Sequence, residues 1–173
     1  MEYQLSREHD RIFKQKLEEI CKNSRLLESH QYMQHGTTSV FRHSVSVAYV
    51  SYYLALKWKA KVDMDSLLRG ALLHDYFLYD WHVKDASHRL HGYHHADKAL
   101  KNALEDFALN EIEQDMIRCH MFPLNLTRIP RYKESWILCY ADKLCSSAET
   151  VSGFVKKTDR LTRALLSVLA PQE

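Results

Sequence analysis

Only four glycines and three prolines punctuate 173 residues, where average usage would supply roughly one such residue in eight. So few chain-breaking residues allow few turns, so the regular elements must be long, which favours helices over a strand-rich fold. The apolar spacing agrees. Ser6 can cap a first helix on which Ile12, Phe13, Leu17, Ile20, Cys21, Leu26 and Leu27 recur at helical steps, running to about Glu28. Gly36-Thr37-Thr38-Ser39 supplies a turn and a cap for a second helix bearing Phe41, Val45, Val47, Ala48, Leu54 and Leu56. Asp63 or Asp65 caps a third, which ends in His74-Asp75. Residues 76 to 92 keep no sustained period and read as an irregular excursion. Helical spacing resumes from His94 to about Phe107, then from an Asn110 cap to His120. A long helix follows from about Tyr132 to Val151, with Ile137, Ala141, Leu144 and Ala148 inward, and a short one from Thr162 to Leu169. The expectation is an all-α bundle of six to seven helices in a single domain over residues 1–173.

Composition narrows the function classes. A net charge of +2 and a pI near 8.3, without a Lys/Arg run, give no electrostatic stripe for tracking phosphates, so nucleic acid is not an expected partner. No apolar run approaches the roughly 18 residues of a membrane span, and the charged start Met1-Glu2-Tyr3-Gln4-Leu5-Ser6-Arg7 is not a signal peptide. Cys21, Cys119, Cys139 and Cys145 form no C-x-x-C pair and read as reduced thiols. A cytoplasmic protein without a membrane partner is expected.

Histidine is the compositional oddity: six of 11 fall between residues 74 and 95. Two His-Asp doublets occur. His9-Asp10 lies in a charged first helix and reads as solvated surface. His74-Asp75 closes the apolar run Leu67–Leu73, where burying two ionisable groups unpartnered would be costly, and a divalent cation would satisfy both. His43 shares a helix face with Val47, Val50 and Leu54, and Asp142 lies between Leu138 and Cys145 on an inward side. Taken singly, His43 could be a hydrogen-bonded core histidine and Asp142 a partner of Lys143. Together, these groups on separate helices suggest one convergent site in a bundle core.

The order His43, His74-Asp75, Asp142, set in Phe41-Arg42-His43-Ser44, Gly70-Ala71-Leu72-Leu73-His74-Asp75, His91-Gly92-Tyr93-His94-His95-Ala96 and Ala141-Asp142-Lys143-Leu144, resembles the H...HD...D signature of the HD-domain superfamily of metal-dependent phosphohydrolases. The resemblance covers about residues 40 to 150, with the first helix, about 6–28, packed on that core. It implies an HD-domain helical bundle and a divalent metal (Mn, Fe, Co, Ni, Zn or Mg), one or two ions per chain. His43, His74, Asp75 and Asp142 would be ligands of the first ion. His95 and His120 match the positions that hold a second ion in two-metal relatives, with His94 able to stand in for His95 and His91 to supplement it. Cys119 stands where several such relatives have histidine, so the second ion should be held by fewer ligands. Gly92-Tyr93-His94 is not the Gly-Tyr-Pro of the cyclic dinucleotide phosphodiesterases.

The implied activity is hydrolysis of a phosphate ester, in a nucleotide or other small phosphorylated metabolite, by metal-activated water. Asp75 is placed at the chemistry, and Lys84, Arg89 and Lys98 around the histidine-rich excursion are the expected cationic stabilisers. His82 and His88 read as hydrogen-bonding or surface residues. Two other readings share the ligand set: an HD-fold di-iron oxygenase, and a non-catalytic metal- or nucleotide-binding module.

Overall fold

The computed structural model describes residues 3–35, 38–82 and 91–152, and among them six α-helices, one 3-10 helix and two short strands. The chain is an all-α bundle. Its elements are α1 (Arg7–Lys22), a 3-10 turn (Leu26–Gln31), a hairpin of β1 (Met33–His35) and β2 (Thr38–Ser39), α2 (Val40–Lys57), α3 (Met64–Leu73), α4 (His91–Asp106), α5 (Glu111–Cys119) and α6 (Lys133–Ser152). The helix expected over Thr162–Leu169 lies outside the described residues.

The caps read from the sequence start their helices. Ser6 accepts from His9 N–H and Ser39 from Arg42 N–H. Asp63, rather than Asp65, caps α3 by accepting from Asp65 and Ser66 N–H. Asn110 and Glu113 cap each other's backbone at the start of α5. The first helix stops at Lys22, short of Glu28, because local side chains compete for its last carbonyls. Asn23 Nδ2 donates to Glu19 O and Ser24 Oγ to Ile20 O, each at 2.8 Å. Leu26 then belongs to the 3-10 turn, where it is still fully buried. Helix α4 already includes His91, three residues ahead of expectation.

Helix α2 is buried on nearly every side, and α3 and α6 pack against it, with α5 against both of those. On α6 the innermost line is Leu138, Ala141, Asp142, Cys145 and Glu149; Leu144 and Ala148, expected inward, are only partly buried. His9-Asp10, read as solvated surface, is partly exposed but also bonded to α2. His9 Nδ1 lies 2.9 Å from Tyr52 Oη, and Tyr49 Oη donates to Asp10 at 3.0 Å, so the doublet docks α1 on α2.

Helices α3 and α5 approach closely at Gly70, where an added Cβ would lie 2.7 Å from Met116 Sδ. This approach matters because each helix ends at a histidine, His74 and His120, whose ring centroids are 5.0 Å apart. Gly70→Val should therefore cost about 1–3 kcal/mol through overpacking, seen as a lower urea midpoint. Met116→Ala in the same chain should recover part of that loss.

Candidate metal centre

Six side chains from three helices and two helix ends meet in the bundle. His43 comes from α2, His74 and Asp75 from the end of α3, His95 from α4, His120 from the end of α5 and Asp142 from α6. All are at least 96 % buried. They form two groups, His43–His74–Asp142 and Asp75–His95–His120, in each of which the ligand atoms lie within 4.8 Å of one another. Asp75 joins the groups. Its Oδ2 is 3.4 Å from His74 Nε2 and 3.7 Å from His43 Nε2, while its Oδ1 is 3.4 Å from both His95 Nε2 and His120 Nε2.

The two helix-end histidines are oriented by the same device. His74 Nδ1 lies 2.8 Å from Ala71 O and His120 Nδ1 2.8 Å from Ile117 O, each one turn back. A carbonyl only accepts, so Nδ1 carries the hydrogen, and a neutral ring then presents its Nε2 lone pair to the centre. His74 Nε2 and Asp75 Oδ1 have no hydrogen-bond partner among the described residues. His95 Nε2 and His120 Nε2 point at each other across 2.8 Å. Buried lone pairs left unpaired cost about 1–3 kcal/mol each, and imidazole nitrogens with carboxylate oxygens are an ordinary donor set for a divalent ion. The residues present fit such an ion in each group.

Charge at the centre is set by burial against close partners. Burial alone would lower the His43 pKa, but hydrogen bonds to Asp142 and Glu149 raise it to about 10. Burial would raise both carboxyls, but His74 and His120 hold Asp75 well below the usual range, and His43 and Lys143 do the same for Asp142. Burial pushes the Cys119 thiol up to about 11 and that of Cys139 up to about 12, and neither belongs to a ligand group. Cys119 Sγ instead lies 3.6 Å from Asp115 Oδ1.

The HD-domain family model matches residues 40–147, more than half of the chain. The chain belongs to the HD-domain family. No curated protein and no solved structure gives a significant match. The HD domains form a superfamily of metal-dependent, hydrolase-type proteins, and His74-Asp75 is the His-Asp doublet that falls within the matched residues.

Around the HD centre, the other sequence-selected residues fall differently. His94 is exposed where His95 is buried, which favours His95 of the two; the His91 side chain lies outside the described residues. Lys84, Arg89 and His88 are likewise outside them. Lys98 Nζ sits 4.3 Å over the Tyr79 ring and is not among the residues lining the cavity beside the centre. His82 is half exposed and pairs with Asp80. Both singly drawn alternatives for the HD residues also hold in part, because His43 is a hydrogen-bonded core histidine and Lys143 Nζ lies 2.5 Å from Asp142 Oδ2.

Two buried residues at the HD centre escape the sequence reading. Glu149 Oε2 lies 2.9 Å from His43 Nδ1 and fixes that ring from behind. Its signal is a carboxylate seven residues, two turns, after Asp142 on the same buried line. Gln34 Nε2 donates to Asp75 Oδ2 at 2.6 Å, and its Oε1 has no partner among the described residues. It stands in a three-residue strand, too short to carry a period.

Two outcomes follow from this geometry. The His43 pKa lies above its ordinary 6.5, so His43 stabilises the metal-free fold fully below pH 6.5 and loses that contribution as pH rises through about 10. Asp142 is shifted the other way from 3.8, so its contribution holds above that pH and is lost on acidification. Urea midpoints of chelated protein should therefore fall from pH 6 to pH 9. Over the same range metal affinity should rise roughly tenfold per pH unit for each proton displaced, with proton release measurable by calorimetry in buffers of different ionisation enthalpy. Second, His43, His74, Asp142 and Asp75 Oδ2 offer four donors to one ion, while His95, His120 and Asp75 Oδ1 offer three to the other. Graded chelator should remove the second ion first, and His95→Ala or His120→Ala should lower metal content from two per chain towards one.

Proposed function

We propose that this HD domain is a divalent-metal-dependent phosphohydrolase that cleaves a phosphate ester of a small metabolite with water, using one ion in each ligand group. The observation that carries the reading is the Asp75 carboxylate, 2 % exposed, with one oxygen facing each group. A carboxylate so placed suits two ions about 3.5–4 Å apart, the spacing of two-metal hydrolytic sites.

Bound ions supply two things here, a water acidified towards neutrality and withdrawal of charge from the phosphoryl oxygens. The chain's own groups do the rest. A cavity of about 340 Å³ opens on Asp75, His95, His120 and Asp142, with Gln34 and Lys143 beside them. Lys143 Nζ is held by Asp142 Oδ2 and by His120 O at 3.2 Å, which leaves one of its three hydrogens for a phosphoryl oxygen. Gln34 Oε1 can accept a hydrogen bond from a water in the cavity. In the reaction the water oxygen bonds to phosphorus as the ester P–O bond breaks. One water hydrogen passes to the departing alcohol, giving alcohol and phosphate.

A panel of phosphate esters with Mn, Fe, Co, Ni, Zn and Mg tests the reading, with phosphate release expected for at least one metal. Asp75→Ala should lose both metal and turnover, whereas His9→Ala should lose neither. Lys143→Met should keep its metal content but lower kcat/KM about 100-fold, the usual scale for losing one donor to transition-state charge. Oxygen uptake by iron-loaded protein, without phosphate release from any ester, would instead establish the di-iron oxygenase reading.

A further inference from the structure

The cavity over the metal centre has two kinds of lining. Beyond the ligand atoms and Lys143, its wall holds the apolar Trp81, Met121 and Leu124 together with Gln34, Gly92 and Ser146. The Trp81 indole N–H donates to Met33 O at 3.1 Å, which fixes the ring on one side. Met121 and Leu124 belong to the connection between α5 and α6, and the same connection carries further exposed apolar side chains. Leu124, Leu126 and Ile129 are 68 %, 70 % and 62 % exposed. Neighbouring exposed apolar side chains at the mouth of a polar site are characteristic of a surface that takes up an apolar ligand. Lys143 lines the cavity beside the ligand atoms and can serve one phosphoryl group.

We propose that the substrate is a phosphate ester of an apolar alcohol, alkyl or aryl. Its phosphoryl group lies at the metal centre against Lys143, and its alcohol part lies against Trp81, Met121 and Leu124. This rests on the phosphohydrolase reading above. At about 340 Å³ the cavity is at the small end of small-molecule sites, which run from about 300 to 1,000 Å³. One phosphoryl group with a short chain or a single ring suits that volume, and a longer chain would run out over Leu124 towards Leu126.

Butyl, hexyl and octyl phosphate test this against glycerol phosphate, all kept below micelle-forming concentrations. Their leaving groups are all alcohols, so the alkyl members differ in apolar length and not in chemistry. In metal-loaded protein kcat/KM should climb by up to about fourfold per added methylene, the factor for burying one CH₂, until the cavity is filled. Leu124→Ser, an exposed position that tolerates the change, should collapse the ratio of octyl to glycerol phosphate, as should Trp81→Ala. Metal content checks that the centre is intact in both. The matching alkylphosphonates, which cannot be hydrolysed, give a second readout: calorimetric affinity for metal-loaded protein should tighten along the same series and flatten in Leu124→Ser. Turnover that ignores chain length, or that favours glycerol phosphate or a nucleotide, would overturn the apolar substrate and leave the phosphohydrolase standing. Absence of turnover on every ester would overturn the hydrolase, and phosphonate affinity would still decide what the cavity accepts.

Discussion

One buried carboxylate with two imidazole-bearing neighbourhoods, one at each oxygen, organises this molecule. At 2 % exposure the Asp75 carboxylate needs partners, and it has Gln34 Nε2 donating to one oxygen beside His43 and His74, with His95 and His120 facing the other. That requirement fixes where four helices must bring their side chains. It explains why α2 is buried on nearly every side, and why α3 and α5 approach as closely as a glycine allows. It also explains the tether on the segment leaving the doublet. Tyr76 Oη binds Asp106 and the backbone of Arg25, while Asn102 Nδ2 donates to the carbonyls of Tyr76 and Phe77. Residues directly after Asp75 are thereby anchored to α4, the helix that carries His95.

Much of this was legible in the sequence, for identifiable reasons. Ser6, Ser39, Asp63 and Asn110 are caps whose work is local, so each could be read beside the helix it starts. His43, His74, Asp75 and Asp142 stand out because ionisable groups on apolar faces need partners, and the structure brings them together with His95 and His120. Less legible were features that depend on distant partners. Glu149 faces a histidine 106 positions away, and Gln34 a carboxylate 41 positions away. The bonds of the partly exposed His9-Asp10 were not legible because its partners, Tyr52 and Tyr49, lie on another helix. The end of α1 was misplaced for the opposite reason: Leu26 keeps the apolar rhythm across a break made by Asn23 and Ser24.

Burial also separates groups that look alike in sequence. His94 and His95 are adjacent, yet one faces solvent and the other faces Asp75, since neighbours on a helix point about 100° apart. Asp142 and Lys143 are adjacent too, but Lys143 curls back so that its ammonium meets both its neighbour's carboxylate and the carbonyl that ends α5. Lys143 thus brings a cation to the cavity from the position next to Asp142 in the sequence.

The paired histidines at the ends of α3 and α5 carry one more consequence. Both helices finish at the centre, so the partial negative charge that aligned peptide dipoles accumulate at a helix carboxyl end, about half an elementary charge each, is directed at the same point from two sides. A cation between them would be attracted by the backbone as well as by its ligands. Exchanging any one ligand leaves that attraction in place, because it belongs to the direction in which the helices run.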